Sequence, residues 1–522
     1  MTTRAATGLV LLGAVLLVAS YPPFRLPPLS FLALVPAALL LRHAIRVGDV
    51  RWAFRWGFRY GLAAHGLVLY WLVVALWHFT PLAALGYAIT VTILGLFTGA
   101  VFWLVARSRL RWPRLPLALL LPAVWTAFEW MLGHLGDVAF PWLGLGVSLG
   151  DAPVLIQWAD VAGAHGVTFW LAWCAVVIAA VIPVSREERA QFAPGPAVRR
   201  LAPVVVSIVI AVAYGVRRER TLVQRPLGVV GLIQPNEGFR EKWDPAHADS
   251  VVATLLNLSR RVRTASRPDL LVWPEAALPD LLEQEPRWDM AVGRLGAEGH
   301  TPIVTGGLDV EMFSGGYTIY NAAFYYDSTG DRRRWPVYRK RYLVPVVERV
   351  PFVPVAWFRR VPWLRKWSGG FGRGQDLPIY QSGIGRFGVL VCYEAIFEDL
   401  ARRYRRAGAD FLVNVTNDAW YGRTAGPYQH VTHLVMRAIE TRMGIARAAN
   451  SGISEVIDPL GYPHAATALE VQTAVAARLT TSDVVPLYVR LGDWVGWACG
   501  LVTAALAAGQ LAPRTARRAP LS

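Results

Sequence analysis

Long apolar stretches dominate the first 216 residues, after which the chain breaks into short apolar runs separated by turns. The long stretches lie at about Gly8–Ser20, Pro28–Leu41, Leu62–Trp77, Leu82–Ala106, Leu115–Leu132, Val161–Pro183 and Leu201–Val216, with one more near the C-terminus at Leu491–Ala508. A helix needs roughly 17–25 mostly apolar residues to cross a bilayer, so the pattern predicts eight membrane-spanning helices. The first two runs are short. "SYPPFRLPPLS" between them reads as a tight extracytoplasmic turn of a hairpin, and no small-x-small site clearly follows the first run to mark a cleaved signal peptide.

Between the seventh and eighth long runs the period changes. "LGVVGLIQPN", "DLLVWPE", "TPIVTGG", "YNAAFYYD", "FGVLVCYE" and "DFLVNVTND" are short, β-rich and strand-like. "DSVVATLLNLSRRV" and "GPYQHVTHLVMRAIETRMGIARAAN" carry helical spacing. Strands alternating with helices predict a layered α/β sandwich. "DSTGD", Asp327–Asp331, reads as a hairpin turn. The expected organisation is a helical polytopic membrane domain of about seven spans over residues 1–216, an α/β domain over 217–487, and a final span with a short basic tail over 488–522.

Composition agrees with the membrane reading. Hydrophobic residues make up 54% of the chain and charged residues 17%, too apolar for a soluble protein of this size. The 53 Lys+Arg against 36 Asp+Glu give +17, which in a soluble protein would suggest nucleic acid. Here no nucleic-acid partner is expected, because the arginines gather between apolar runs. Arg42, Arg46, Arg51 and Arg55 lie between spans two and three, Arg107, Arg109, Arg111 and Arg114 between four and five, Arg186, Arg189, Arg199 and Arg200 between six and seven, and Arg514, Arg517 and Arg518 after the last. The alternate loops, near 79–81 and 133–160, have almost none, so the positive-inside rule puts both termini in the cytoplasm and the α/β domain outside. Glu129, inside the fifth run, needs a partner within the bundle.

Three apolar segments stop at polar groups: "LLVWPE" at Glu275, "GVLVCYE" at Cys392 and Glu394, and "FLVNVTND" at Asn414, Asn417 and Asp418. Sites of open α/β sheets form at the carboxyl ends of strands, so these groups are candidates for one cleft. Two readings stand for each. Glu275, fixed by the preceding proline, is a general base or a solvent-facing loop residue. Cys392 is a nucleophile needing a base or cation, or an inert core thiol. Cys174 and Cys499 lie in apolar runs, which leaves Cys392 without a disulfide partner. Lys340 in "YRKRYLVPVVERVPF" is a held cation able to stabilise a thiolate and an oxyanion, or a solvated charge, with Arg339 and Arg341 as equal candidates. His430 and His433 lack a third metal ligand at recognisable spacing, and a Cys–His dyad with either is the weaker alternative.

"LLVWPEAALP", "YRKRYLVPVVERVPF", "GVLVCYEAIFEDLAR" and "LVNVTNDAWYG", in this order, resemble the nitrilase superfamily. With eight spans, "VWTAFEW", "FPWLGLG" and the stretch "GPYQHVTHLVMRAIETRMGIARAANSGISEVIDPLG", nearly the whole chain resembles the apolipoprotein N-acyltransferase family. The resemblance implies an extracytoplasmic nitrilase-like αββα sandwich and a triad of Glu275 as base, Lys340 as oxyanion stabiliser and Cys392 as nucleophile. It further implies supporting roles for Glu348 and Glu394, Tyr393 as the aromatic after the nucleophile, and Trp243 in "GFREKW" as the substrate-entry tryptophan. It brings no metal and no cofactor. Two departures stand out: Val346-Val347 where the pattern has Phe-Gly before Glu348, and Arg341 where Asn or His often follows the lysine.

The implied reaction is transfer of an sn-1 acyl chain from a phospholipid, phosphatidylethanolamine by analogy, through a cysteine thioester to the α-amino group of a diacylglyceryl-cysteine on a lipoprotein. The implied place is the bacterial cytoplasmic membrane, with the catalytic domain on its outer, periplasmic face. Val350–Trp367, with Arg359, Arg360, Arg365 and Lys366, is expected as a lipid-facing arm. The competing readings are a membrane-anchored amidase using water as acceptor, and a transporter or lipid scaffold carrying a dead enzyme domain.

Overall fold

The computed structural model describes residues 1–78, 82–191, 193–238, 242, 244, 246–314, 316–352 and 370–512. Trp243, loop 79–81, the expected arm from residue 353 onward with Arg359, Arg360, Arg365 and Lys366, and Arg514, Arg517 and Arg518 lie outside the described residues.

Each long apolar run falls on a helix or a bent pair. Thr3–Ser20, Pro27–Val47, Ala83–Arg111, Ala159–Ala180, Pro194–Thr221 and Trp494–Leu511 are long and apolar enough to cross a membrane. Val50–Val68 and Trp71–Trp77 pass together but are bent by 59°, and Leu117–Leu132 is a shorter apolar helix. Arg51 and Arg55 do not sit in a loop as expected: they belong to the first turns of Val50–Val68. The break is only Gly48, left-handed at φ 72, and Asp49, whose carboxylate accepts from Trp52 N at 2.8 Å. Arginines at helix ends keep the helix and reach the interface with long stems, so charge marks a span's edge later than the backbone does.

Glu129 has the partners its position demands. It accepts from Trp125 Nε1 at 2.8 Å, Thr168 Oγ1 at 2.7 Å and the Leu145 N–H at 3.1 Å. These bonds tie a run of short 3-10 turns, Gly136–Val138, Pro141–Leu143 and Leu145–Leu149, into the helices. Gly146 belongs to that contact, since a Cβ there would stand 2.4 Å from the Ala164 carbonyl.

The remaining chain forms two six-stranded sheets. In chain order the strands are β1 (Arg225–Gln234), β2 (Leu270–Val272), β3 (Ile303–Phe313), β4 (Gly316–Tyr326), β5 (Tyr338–Arg339), β6 (Tyr380–Ser382), β7 (Gly385–Val391), β8 (Phe411–Thr416), β9 (Gly444–Ala449), β10 (Glu455–Ile457), β11 (Pro463–His464) and β12 (Thr473–Thr481). One sheet runs β12-β1-β2-β3-β4-β5, the other β11-β10-β9-β8-β7-β6. The centres are parallel (β1-β2-β3 and β7-β8-β9), and the edges are antiparallel.

Side-chain alternation builds four layers. Val230, Leu232, Val272 and Val304 share a core with Val389, Val391 and Val413 of the second sheet, and Tyr325 meets Phe387 edge-on at 5.2 Å. Ile233, Leu271, Ile303 and Phe324 face outward and pack on Val251 and Leu255 of helix Ala248–Ser266 and Val292 and Leu295 of helix Pro286–Gly299. Helices Glu398–Arg406 and Gly426–Thr441 pack against the second sheet's strands. Tyr404 lies over Gly388 so closely that a Cβ would stand 2.2 Å from its ring. This is the expected αββα sandwich beside a helical membrane domain. The turn at Asp327–Asp331 closes with Gly330 N donating to Asp327 O at 2.9 Å, but pairing resumes only at Tyr338, so it opens a longer loop than a hairpin.

Candidate active site

β2 ends under Trp273, whose indole donates to Ser259 Oγ at 2.9 Å and whose backbone N–H still pairs with Val304 O at 2.8 Å. The chain then turns through Pro274, Glu275 and Ala276, the last left-handed at φ 46. Gly306 of β3 lies against this turn: a Cβ would fall 2.6 Å from Glu275 Cα and Ala276 N. Glu275 is buried, and each of its oxygens has a donor. Oε1 accepts from Asn321 Nδ2 at 2.8 Å and Lys340 Nζ at 3.3 Å, and Oε2 from the Asn417 N–H at 2.9 Å.

Lys340 follows β5 and is fully buried. Its ammonium also donates to Glu348 Oε1 at 2.9 Å. Burial alone would lower its pKa, but Glu348, Glu275 and Cys392 outweigh burial and raise it, so the amine stays charged. Arg339 turns elsewhere, to Asp309 at 2.6 Å and Glu311 at 3.0 Å, and Arg341 contributes its backbone N–H to Glu394. Of the three basic residues, Lys340 is the cation in this cleft.

Cys392 closes β7 at φ 49, a left-handed turn on a residue that is not glycine. Its thiol is pushed up, first by burial and then by the Glu275 charge, with Lys340 pulling the other way. Glu394, two residues on, accepts from Val391 N at 2.7 Å and Tyr338 OH at 2.8 Å on one oxygen, and from Arg341 N at 2.6 Å and Tyr342 N at 3.2 Å on the other. It staples the lysine segment to the cysteine turn, and burial pushes its carboxyl up to about 7 against those bonds. Glu348 is held by Asn321 Nδ2 and the Val344 N–H, both at 2.8 Å. Tyr393 points away, its hydroxyl donating to Ala139 O of the membrane domain at 2.8 Å.

The cleft's outer wall is built by the membrane domain. Trp71, Leu72, Ala75 and Leu76 of the bent helix, with Phe140 and Trp142, line the same cavity as Glu275, Lys340, Glu348 and Cys392. The arrangement joins a buried thiol, a carboxylate in reach of a fixed ammonium, and an apolar slot opening among membrane helices. Trp243 lies outside the described residues.

The third strand end also enters the site: Asn417 gives its N–H to Glu275, while Asn414 and Asp418 turn behind the cysteine. His430 does not pair with the thiol as a dyad would require; its Nε2 lies 3.0 Å from the Cys392 carbonyl oxygen. His433 stacks edge-on to Trp142 at 5.8 Å. Asn321 and Lys242 were not singled out from the sequence. Asn321, bridging Glu275 and Glu348, is a lone amide in the otherwise apolar "YNAAFYY", which is the available signal. Lys242 is buried and donates to the Glu275 carbonyl at 2.8 Å, with burial bringing its pKa down to about 8; a charge in a loop gives no such warning.

Residues 13–177 match the family model of the apolipoprotein N-acyltransferase N-terminal domain, and residues 229–486 match that of carbon-nitrogen hydrolases. A relative from Geobacter metallireducens, an apolipoprotein N-acyltransferase, is 35% identical over 96% of this chain and 94% of its own. Another of that name, from Chlorobaculum tepidum, is 29% identical over 92% of this chain and 91% of its own. Among solved structures, a nitrilase-superfamily amidase from Nesterenkonia aligns with a TM-score of 0.39 at 18% identity, over 52% of this chain and 95% of its own. The chain is a bacterial membrane protein that belongs to the apolipoprotein N-acyltransferase family.

Proposed function

We propose that this protein transfers an acyl chain from a membrane phospholipid, through a thioester on Cys392, to the α-amino group of a lipoprotein's N-terminal diacylglyceryl-cysteine. One observation carries the reading. Glu275, Lys340, Glu348 and Cys392, from separate segments, line one cavity whose far wall is an apolar membrane helix, Trp71–Trp77. Both substrates are anchored in the bilayer by acyl chains, and a nitrilase-type thiol walled by membrane helices meets them at headgroup depth.

Glu275 takes the Cys392 proton as sulfur attacks the ester carbonyl. Lys340 and the Tyr393 N–H stabilise the oxyanion, the C–O bond breaks, and the proton passes from Glu275 to the departing lysophospholipid hydroxyl. The lipoprotein amine then attacks the thioester carbonyl. The C–N bond forms, the C–S bond breaks, and the amine's proton returns to the thiolate by way of Glu275. Glu348 and Glu394 hold Lys340 in place, Tyr393 ties the cysteine turn to the membrane domain, and Trp243 is assigned the part of the family's substrate-entry tryptophan. The donor is phosphatidylethanolamine at its sn-1 position. The membrane domain spans 1–216, the catalytic domain 217–487 lies outside the bacterial cytoplasmic membrane, and 488–522 returns the chain to the cytoplasm, by the arginine asymmetry of the loops.

Purified protein incubated with phosphatidylethanolamine should carry a palmitoyl-sized adduct on the Cys392 peptide by mass spectrometry. Glu275→Ala should form none, and the wild-type adduct should discharge to an amine acceptor and not to water. An unmodified cysteine in active protein would refute the thioester, and discharge to water alone would refute transfer.

A further inference from the structure

Behind the cysteine turn lies a buried polar group that the two half-reactions above do not use. His430, Asp418 and Arg447 are each fully or almost fully buried. His430 Nδ1 lies 3.0 Å from Asp418 Oδ1, Arg447 Nη2 lies 2.6 Å from Asp418 Oδ2, and Arg447 Nη1 donates to Asn414 Oδ1 at 2.6 Å. At the other edge of the ring, Nε2 faces the Cys392 carbonyl oxygen at 3.0 Å. A carbonyl has no proton to give, so Nε2 carries one and donates it. The ring is fixed from a third side by Trp142, stacked at 5.5 Å and 30°.

The bond falls on an informative peptide. Cys392 O and Tyr393 N belong to one planar trans amide, and its C=O and N–H bonds point in opposite directions while their dipoles add. Holding the carbonyl therefore aims the N–H, and a donor on the carbonyl polarises that N–H further. The turn needs such a hold, because Cys392 is left-handed at φ 49 without being glycine. We infer that His430, kept in place by Asp418 and Arg447, is the positioning residue of the oxyanion site: through the Cys392 carbonyl it orients the Tyr393 N–H toward the reacting carbonyl oxygen. This inference rests on the acyl-enzyme reading above.

The helix that bears His430 is itself registered against the membrane domain. Gln429 Oε1 accepts from both Trp71 Nε1 at 3.0 Å and Trp142 Nε1 at 2.9 Å. The same two tryptophans wall the cleft, so the substrate slot and the oxyanion donor are set from adjacent residues of one helix.

The test compares His430→Phe, which fills the site without a donor, and His430→Gln, which restores an N–H, in detergent-solubilised full-length protein. Two rates are read: acylation of Cys392 by phospholipid, and alkylation of Cys392 by iodoacetamide, which forms no oxyanion. Losing an oxyanion donor outright costs about 10²–10³-fold, so a misaimed one predicts a fall of about 30-fold or more in acylation for His430→Phe. Its alkylation should stay near wild type, and His430→Gln should recover most of the acylation. An unimpaired His430→Phe would overturn the inference alone. So would parallel loss of both rates in His430→Phe and His430→Gln, which would make the histidine a fold element only. A wild-type protein that forms no adduct would overturn the acyl-enzyme reading and this inference together.

Discussion

Three residues in or beside the cleft of Glu275, Lys340 and Cys392 hold left-handed backbone without being glycine: Ala276 after Glu275, Val346 before Glu348, and Cys392 itself. Such residues cost of order 1–3 kcal/mol each and persist where the surroundings over-determine them. Ala276 and Cys392 lie in turns clamped by hydrogen bonds and buried. Val346 is different, being exposed and β-branched at φ 69, the side-chain type that tolerates this region least. The family pattern anticipates a glycine one position later, at 347, but the left-handed residue is 346. Val346→Gly should therefore stabilise the protein by about 1 kcal/mol: relief of the strain exceeds the roughly 0.5–1 kcal/mol of extra chain entropy that glycine gives up on folding. Val347→Gly, which has no such strain to relieve and removes a side chain from the cleft wall, should destabilise it. Thermal unfolding of the two variants in detergent checks the pair, and a lower melting temperature for Val346→Gly would show that the valine is held there at no cost.

The elements bring their polar ends together by close backbone approach. β3 passes the Glu275 turn at Gly306, and the chain resuming at residue 370 passes Arg339 at Gly374, where a Cβ would fall 1.9 Å from the Arg339 carbonyl. Neither neighbour is a flexible side-chain tip, so neither contact yields cheaply. Gly306→Ala should push the Glu275 turn outward, cost about 1–3 kcal/mol as other overpacked contacts do, and lower kcat by an order of magnitude or more. An unchanged kcat would mean the turn relaxes without moving the carboxylate. These contacts explain what could be read in advance and what could not. Apolar strands ending in Glu275, Cys392 and Asn417 are local patterns, and so are the long membrane runs. Asn321, bridging two glutamates across the sheet, and His430, 38 positions after the cysteine whose carbonyl it holds, are meetings of distant segments. A single sequence shows their residue types but not the sheet register and helix placement that join them. The start of the helix at Val50 was hidden for another reason: its first turns carry arginines, which a hydropathy pattern counts as loop.

At the scale of the whole molecule, the cleft exists only while the α/β domain keeps its place on the helices, since one supplies the thiol and the other the wall. Tyr393 to Ala139 and Gln429 to Trp71 and Trp142 hold one side. The other side is a buried ionic knot. Arg442, fully buried at the end of helix Gly426–Thr441, donates to Asp160 Oδ2 at 2.8 Å and to Gln157 Oε1 at 2.6 Å. Asp160, at the start of a membrane helix, also takes Arg218 at 3.0 Å and Tyr214 OH at 2.7 Å. Breaking a buried pair by removing one partner leaves an uncompensated charge and costs about 3–5 kcal/mol, whereas replacing both with apolar groups is far cheaper. Asp160→Asn strands two arginines, and Arg442→Met leaves Asp160 with Arg218. Asp160→Asn should therefore lower the melting temperature more than Arg442→Met does. The double variant Asp160→Asn/Arg442→Met should unfold above the sum of its parts, with a coupling of about 1–3 kcal/mol. If the knot also fixes the domain's position, the single variants that still fold will lose phospholipid-dependent acylation of Cys392 while iodoacetamide still reaches the thiol, because the wall moves and the cysteine turn does not. Strictly additive melting shifts would mean that Arg442 and Asp160 do not stabilise one another.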